Sequence, residues 1–177
     1  MTTPTQTLSP AQSPLTHKGG IPGLLRQTIR LAERFPNSLV AFVARFSIAA
    51  VFWKSGQTKI QGFALDLVNG EFVWGWPHLS DSAVGLFRDE YHLPLLPPEI
   101  AATLAATAEH VFPTLILLGL ATRLSAVALL GMTLTIQLFV YPDAYPTHGT
   151  WAAVLLYLMV HGPGQLSVDH WITRRYR

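Results

Sequence analysis

The chain has 177 residues, 50% of them hydrophobic and 12% charged, with a net charge of +2. An average soluble domain is roughly a quarter charged, and a chain this short cannot wrap several all-round apolar helices in polar elements of its own, so a soluble globular fold is excluded. Dispersed Lys and Arg residues with no basic stripe exclude nucleic acid as a partner, and the absence of cysteine removes disulfides, thiolate metal sites and CxxC redox chemistry.

Residues 1–22 are rich in Thr, Ser, Pro and Gln and hold no apolar run, which predicts a disordered tail rather than a signal peptide. Over residues 23–35, Leu24, Leu25, Ile29, Leu31 and Ala32 alternate with Arg26, Arg30 and Arg34, the pattern of a short basic amphipathic helix at a membrane surface. Four hydrophobic stretches follow, at residues 37–56, 100–120 and 124–141 and from about Thr150 to His161, where Gly162-Pro163-Gly164 interrupts the fourth. A bilayer core takes about 20 helical residues, with a floor near about 17. The first three stretches meet that requirement. The fourth spans if its helix runs on, kinked, through Leu166, Val168 and Ile172, or if it tilts in thinned lipid.

Between the first two stretches lies a long connection carrying Phe72, Trp74, Trp76, Leu86, Phe87 and Tyr91, too apolar for a solvated coil. Asp81-Ser82 reads as the N-cap of a short helix over 83–91, which Pro94, Pro97 and Pro98 then stop. The segment is expected to cap the outer mouth of the helices. Its flanks also set orientation. The N-terminal side holds Lys18, Arg26, Arg30 and Arg34, the turn between the second and third stretches ends in Arg123, and the C-terminus carries Arg174, Arg175 and Arg177. Residues 53–99 hold three basic and six acidic residues, and residues 142–149 only Asp143. By the positive-inside rule both termini are cytoplasmic. The expected architecture is an all-α integral membrane four-helix bundle over residues 36–172, N-in and C-in, with a long periplasmic cap loop between spans one and two and a basic cytoplasmic tail at 173–177.

Arg45 and Glu109 are the formal charges deepest in these stretches, about 10 Å and about 16 Å above the cytoplasmic edge at 1.5 Å per residue, which predicts that they pair. Such a pair either fixes helix register or marks a site for a polar headgroup or a proton. Ala102, Ala105 and Ala106 allow close helix approach beside Glu109, and Pro113 removes the helical donor to its carbonyl. Thr133, Gln137 and Tyr141 share one helix face; Thr150, Tyr157 and His161 share another. If those faces meet, Glu109, Gln137, Tyr141 and Tyr157 line a cavity open to the outer side, with His148 and Trp151 at its rim. Interhelical hydrogen bonding accounts for the same residues without a ligand. His110 and His161 raise a bis-histidine haem, which no motif supports, and His78, His92 and His148 match no metal-site spacing. No nucleophile elbow, phosphate loop or dinucleotide fingerprint is present, so no catalytic residues are assigned.

Several short motifs occur in a fixed order: Phe52-Trp53-Lys54-Ser55-Gly56 with Lys59; Glu90-Tyr91; Glu109; a turn ending in Arg123; Tyr141-Pro142; His148 and Trp151; and Gly162-Pro163-Gly164 with Asp169. In these the chain resembles the DoxX family of small bacterial inner-membrane proteins over residues 36–172. The resemblance implies a four-helix membrane bundle in the bacterial inner membrane. It also implies a likeness to subunits of thiosulfate:quinone oxidoreductase, with links to membrane redox and oxidative-stress systems. The expected function is a redox accessory that holds a quinone among Glu109, Gln137, Tyr141, Tyr157 and His148, with Arg45 keeping Glu109 ionised. No covalent cofactor is expected; the partners are the lipid bilayer, other membrane or periplasmic subunits, and further copies of the chain. The alternative is a non-enzymatic scaffold or transport accessory, because related genes lie beside metal-responsive peptide-modification genes. There Trp74, Trp76 and Tyr91 would hold a periplasmic partner.

Overall fold

The computed structural model describes residues 21–66 and 69–176. The tail expected over 1–22 lies outside these, except for its last two residues, which open helix α1 (Ile21–Glu33). Within α1 the Arg30 side chain donates to the Arg26 carbonyl one turn back, and Leu24, Leu25, Ile29 and Leu31 are exposed.

The second unit, residues 36–177, starts at Pro36, whose extended backbone leads into α2 (Asn37–Gln57). The connection that follows is not all helical. Strand β1 (Ile60–Gln61) pairs antiparallel with β4 (His78–Leu79), and β2 (Ala64–Asp66) pairs with β3 (Glu71–Val73). Gly62 and Gly75 face each other so closely that a Cβ on either would strike the opposing backbone, and Gly62 has φ +84°. These ladders carry Trp74 and Trp76 outward, 82% and 90% exposed, so neither covers the mouth of the helices as expected. Helix α3 (Asp81–Leu86) is capped by Ser80, one residue earlier than the sequence suggested, with its Oγ accepting from the Ala83 amide at 3.2 Å. A wide helical turn (Phe87–Tyr91) continues it and ends at His92, φ 43°.

Helix α4 (Pro98–Leu118) contains Pro113 and stops at Gly119, φ +70°. After a tight turn come α5 (Thr122–Phe139), a single 3₁₀ turn (Pro142–Ala144) and α6 (Tyr145–His161). α6 begins about five residues before the predicted start, because Pro146 is tolerated in a first helical turn where no amide partner is needed. At Gly162, φ +77°, the chain leaves the helix rather than running on with a kink, and a separate α7 (Val168–Arg175) follows. α2, α4 and α5 are long and apolar enough to cross a membrane. α6, with 17 residues, stands at the lower limit of length.

α2 packs on α4 and α5 on α6, with further contacts between α4 and α5 and between α2 and α6. Ile48, Ala49 and Phe52 of α2 meet Ile116 of α4, Ala126 and Leu129 of α5, and Leu155 and Leu158 of α6 in one core. A second cluster joins Phe87, Tyr91 and Leu93 to Ala101, Ala102 and Ala105 of α4. The helices thus have a loop end, beneath the 58–97 connection, and a turn end, at the α4–α5 turn.

Candidate functional site: a polar-headed cavity at the loop end

Ser55 and Lys59 are four residues apart, which places them on one side of the last turn of α2 and its exit. Both reach Glu109 of α4. Lys59 Nζ lies 2.8 Å from Glu109 Oε2 and 3.0 Å from Oε1, and it donates to Ser55 Oγ at 3.1 Å. Ser55 Oγ donates to Glu109 Oε1 at 2.9 Å. The ion pair is buried, with side-chain exposures of 7% and 4%. Glu109 Oε2 contacts Lys59 at salt-bridge distance yet accepts no well-oriented hydrogen bond. Gly56 permits this approach: a Cβ there would lie 2.7 Å from the His110 ring and 3.0 Å from Glu109 Cβ. His110 is held by the Gln57 amide at 2.8 Å and by the edge of Trp53.

These three polar groups form one end of a cavity of about 390 Å³. Its walls are apolar: Val51 and Phe52 from α2, Ala105 and Ala108 from α4, Met132 and Ile136 from α5, and Trp151 from α6. The alanines of α4 leave the space that larger side chains would fill. Tyr91, Leu93, Leu96 and Tyr141 line the cavity at the loop end. The Tyr141 hydroxyl donates to Glu90 Oε1 at 2.8 Å and its ring stands edge-on to Tyr91. Hydrogen bonding with Tyr91 first, then with Glu90, raises the Tyr141 phenol pKa above the usual tyrosine range.

The structure brings together some of the predicted site residues and separates others. Glu109, Tyr141 and His148 all line the cavity. Gln137 Oε1 accepts from His148 Nδ1 at 2.7 Å, and Gln137 Nε2 donates to the Pro142 carbonyl at 2.5 Å. Trp151 is part of the wall rather than the rim, its ring tilted against those of Phe52 and His148. Arg45 does not pair with Glu109. Its guanidinium donates to the carbonyls of Leu117, at 3.0 Å, Ile116 and Leu166, all at the turn end. Carbonyls in the last turn of a helix run out of helical donors, and the Leu117 carbonyl makes the shorter of the two α4 contacts to it, while Glu109 lies seven residues, about 10 Å, before Ile116 along α4. Tyr157 is also at the turn end, hydrogen bonded to Asn37 Oδ1 and stacked on His161, so it does not line the cavity. His110 beside Gln57 and His161 near Asn37 therefore stand at opposite ends of α2, about 30 Å apart, too far to share a haem iron. Among the described residues no three His, Asp or Glu side chains converge as a metal site.

The remaining motif residues fall at two places. At the loop end, Trp53 Nε1 donates to the Leu65 carbonyl and tethers the β2–β3 hairpin, while Lys54 is exposed. At the turn end, Asp169 accepts from the amides of Ala121 and Thr122 at 2.9 and 3.1 Å, Gly164 packs against Ser38 and Ala41, and Gly162 faces the Arg123 guanidinium. Ser55 and Lys59 were not among the predicted ligand residues. Their four-residue spacing at the exit of α2 was the available signal.

A family model for DoxX matches residues 40–142, more than half the chain. The chain belongs to the DoxX family. The match runs from α2 to the turn after α5, so the Ser55–Lys59–Glu109 cluster lies inside the shared DoxX region, and α6 with the Gly162–Asp169 segment lies beyond it. No curated protein and no solved structure matches this DoxX chain.

Proposed function

We propose that this DoxX protein is a four-span bacterial inner-membrane protein in which α2, α4, α5 and α6 form a four-helix bundle, with both termini cytoplasmic and the 58–97 connection periplasmic. Its cavity holds the head of a membrane quinone as part of a redox system. The observation that carries this reading is a buried Ser55–Lys59–Glu109 cluster at the end of a cavity whose walls are otherwise largely apolar. Such a pocket suits a ligand that is apolar over most of its surface with one group to orient it. A quinone carbonyl accepts from the Lys59 ammonium or the Ser55 hydroxyl by displacing one of the bonds these make to Glu109 and to one another, and its ring packs against Phe52 and Trp151. Lys59 and Glu109 balance one another, so the site favours an uncharged head over an anion, which would bring an uncompensated negative charge into a low-dielectric space. The quinone brings its own redox chemistry, and the protein supplies binding and orientation.

Native mass spectrometry of the protein purified in mild detergent, with extracted ligands identified, tests the reading. The wild type is expected to carry quinone, or to take up a short-chain quinone, and the charge-free double variant Lys59→Met/Glu109→Gln is expected to lose it while remaining folded. A wild type that binds no quinone overturns it. The exposure of Trp74 and Trp76 favours a second reading, a scaffold that docks a periplasmic partner. In the same experiment that reading requires a stoichiometric protein partner that is lost on combined Trp74→Ala and Trp76→Ala substitution; retention of the partner rules the two tryptophans out as the docking surface.

A further inference from the structure

The exposed members of the cavity lining all lie on one side. Leu96 is 44% exposed, Leu104 56% and Tyr141 42%, and Thr135 is exposed as well. They belong to α4, to α5 and to the chain segments flanking the loop ends of those two helices. The lining residues from α2 and α6 are buried or half-buried: Val51, Phe52, Ser55, Lys59, His148 and Trp151. Toward the turn end Ile116 of α4 shares a core with Ala126 and Leu129 of α5, whereas toward the loop end Ala105 and Ala108 of α4 and Met132 of α5 line the cavity. Directly above, Phe87, Tyr91 and Leu93 are packed onto α4, and the Glu90–Tyr141 hydrogen bond ties that strap to the end of α5. The cavity is therefore roofed and opens sideways.

We infer that the cleft between α4 and α5 is a lateral portal, framed by Leu104 and Thr135, through which the cavity is loaded from the outer leaflet of the bilayer by a single-chain, uncharged amphiphile whose tail remains in the lipid. This rests on the membrane-embedded binding reading above and sharpens its ligand class. Leu104 lies about 9 Å along α4 from its first residue and Thr135 about 6 Å from the end of α5, so both sides of the cleft stand at acyl-chain depth. None of the four rim residues carries a charge, so an apolar tail crosses the rim without desolvating an ion. The polar groups that would hold a head lie at the far side, on Ser55, Lys59 and Glu109. A head bound there leaves its chain directed outward between α4 and α5. Leu104 and Thr135 are thus residues that select for ligands carrying one slender tail, and Ala105 and Ala108 form the floor over which it passes.

The chain has no cysteine, which allows a direct test. Ala105→Cys sets one thiol on the cavity wall of the full-length protein in lipid nanodiscs. A long-chain N-alkyl maleimide, which partitions into the bilayer, is expected to label it, whereas a charged, membrane-impermeant methanethiosulfonate is expected to spare it. The charged reagent should label Trp76→Cys readily. Adding Thr135→Trp or Leu104→Trp to the Ala105→Cys protein should slow maleimide labelling severalfold, since both positions face outward and tolerate bulk. Three results overturn the portal: labelling of Ala105→Cys by the charged reagent as fast as Trp76→Cys, maleimide labelling that neither plug slows, or no labelling by either reagent in a protein that both label once denatured. No quinone takes part, so a failure of quinone binding and a failure of the portal are separately visible.

Discussion

Lys59 and Glu109 are opposite charges 2.8 Å apart in a buried site, supported by the hydroxyl and the backbone carbonyl of Ser55. Removing one charge of such a pair leaves the other buried without compensation, whereas removing both leaves a neutral, packable site. Lys59→Met alone is therefore expected to destabilise the protein by about 3–5 kcal/mol. The double variant Lys59→Met/Glu109→Gln should recover most of that loss. Thermal unfolding in detergent measures both, and a single variant as stable as the double would show that the ammonium does not compensate the carboxylate. At this scale the sequence misleads in an instructive way. Ranking charges by depth from the turn end pairs Arg45 with Glu109, because both lie within apolar runs. The structure pairs each with a group that such a ranking cannot see. Lys59 lies beyond the run and folds back into it, and Arg45 finds backbone carbonyls, which have no sequence signature. Gly56, by contrast, is in the motif for a reason the structure makes plain: any Cβ would push His110 and Glu109 off α2.

At the scale of elements, the turn end is held by a clasp between the start of α7 and the α4–α5 turn. Asp169 at the start of α7 accepts from the Ala121 and Thr122 amides, which open α5, and its own amide donates to the Gly119 carbonyl at the end of α4. A carboxylate there satisfies two orphan donors and complements the positive end of the helix dipole. Asp169→Ala is expected to cost about 1 kcal/mol and to speed hydrogen exchange at the Ala121 and Thr122 amides while leaving α2 exchange unchanged. Unaltered exchange at those two amides would mean the clasp contributes nothing in solution. The apolar runs that became α2, α4 and α5 are readable because their length alone distinguishes them. The start of α6 is hidden by Pro146, His148 and Gly149, which look like loop residues until Pro146 is seen in the first turn of a helix. The paired strands, two and three residues long, are too short for period-two alternation to register. Gly162 looked compatible with a kinked helix, but its positive φ and extended ψ take the chain out of helical geometry altogether.

For the whole molecule, orientation decides what the cavity can serve. The proposed orientation, with the loop end outside, rests on the positive-inside rule: Arg123, Arg174 and Arg175 at the turn end and C-terminus oppose a 58–97 connection that holds more acidic than basic residues. Single cysteines at Trp76 and Tyr176 test this, since both positions are almost fully exposed. In intact cells an impermeant thiol reagent is expected to label Trp76→Cys at once, and Tyr176→Cys only after the membrane is broken. Labelling of Tyr176→Cys in intact cells would invert the arrangement, and the consequence would reach the chemistry. The Glu90–Tyr141 strap and the tryptophan-bearing hairpin stand on the same side as the Ser55–Lys59–Glu109 cluster, so whichever compartment they face is the one from which a protein partner can act on a molecule bound in the cavity. With the loop end outside, a partner that exchanges electrons or substrate with that molecule must itself reach the periplasmic face.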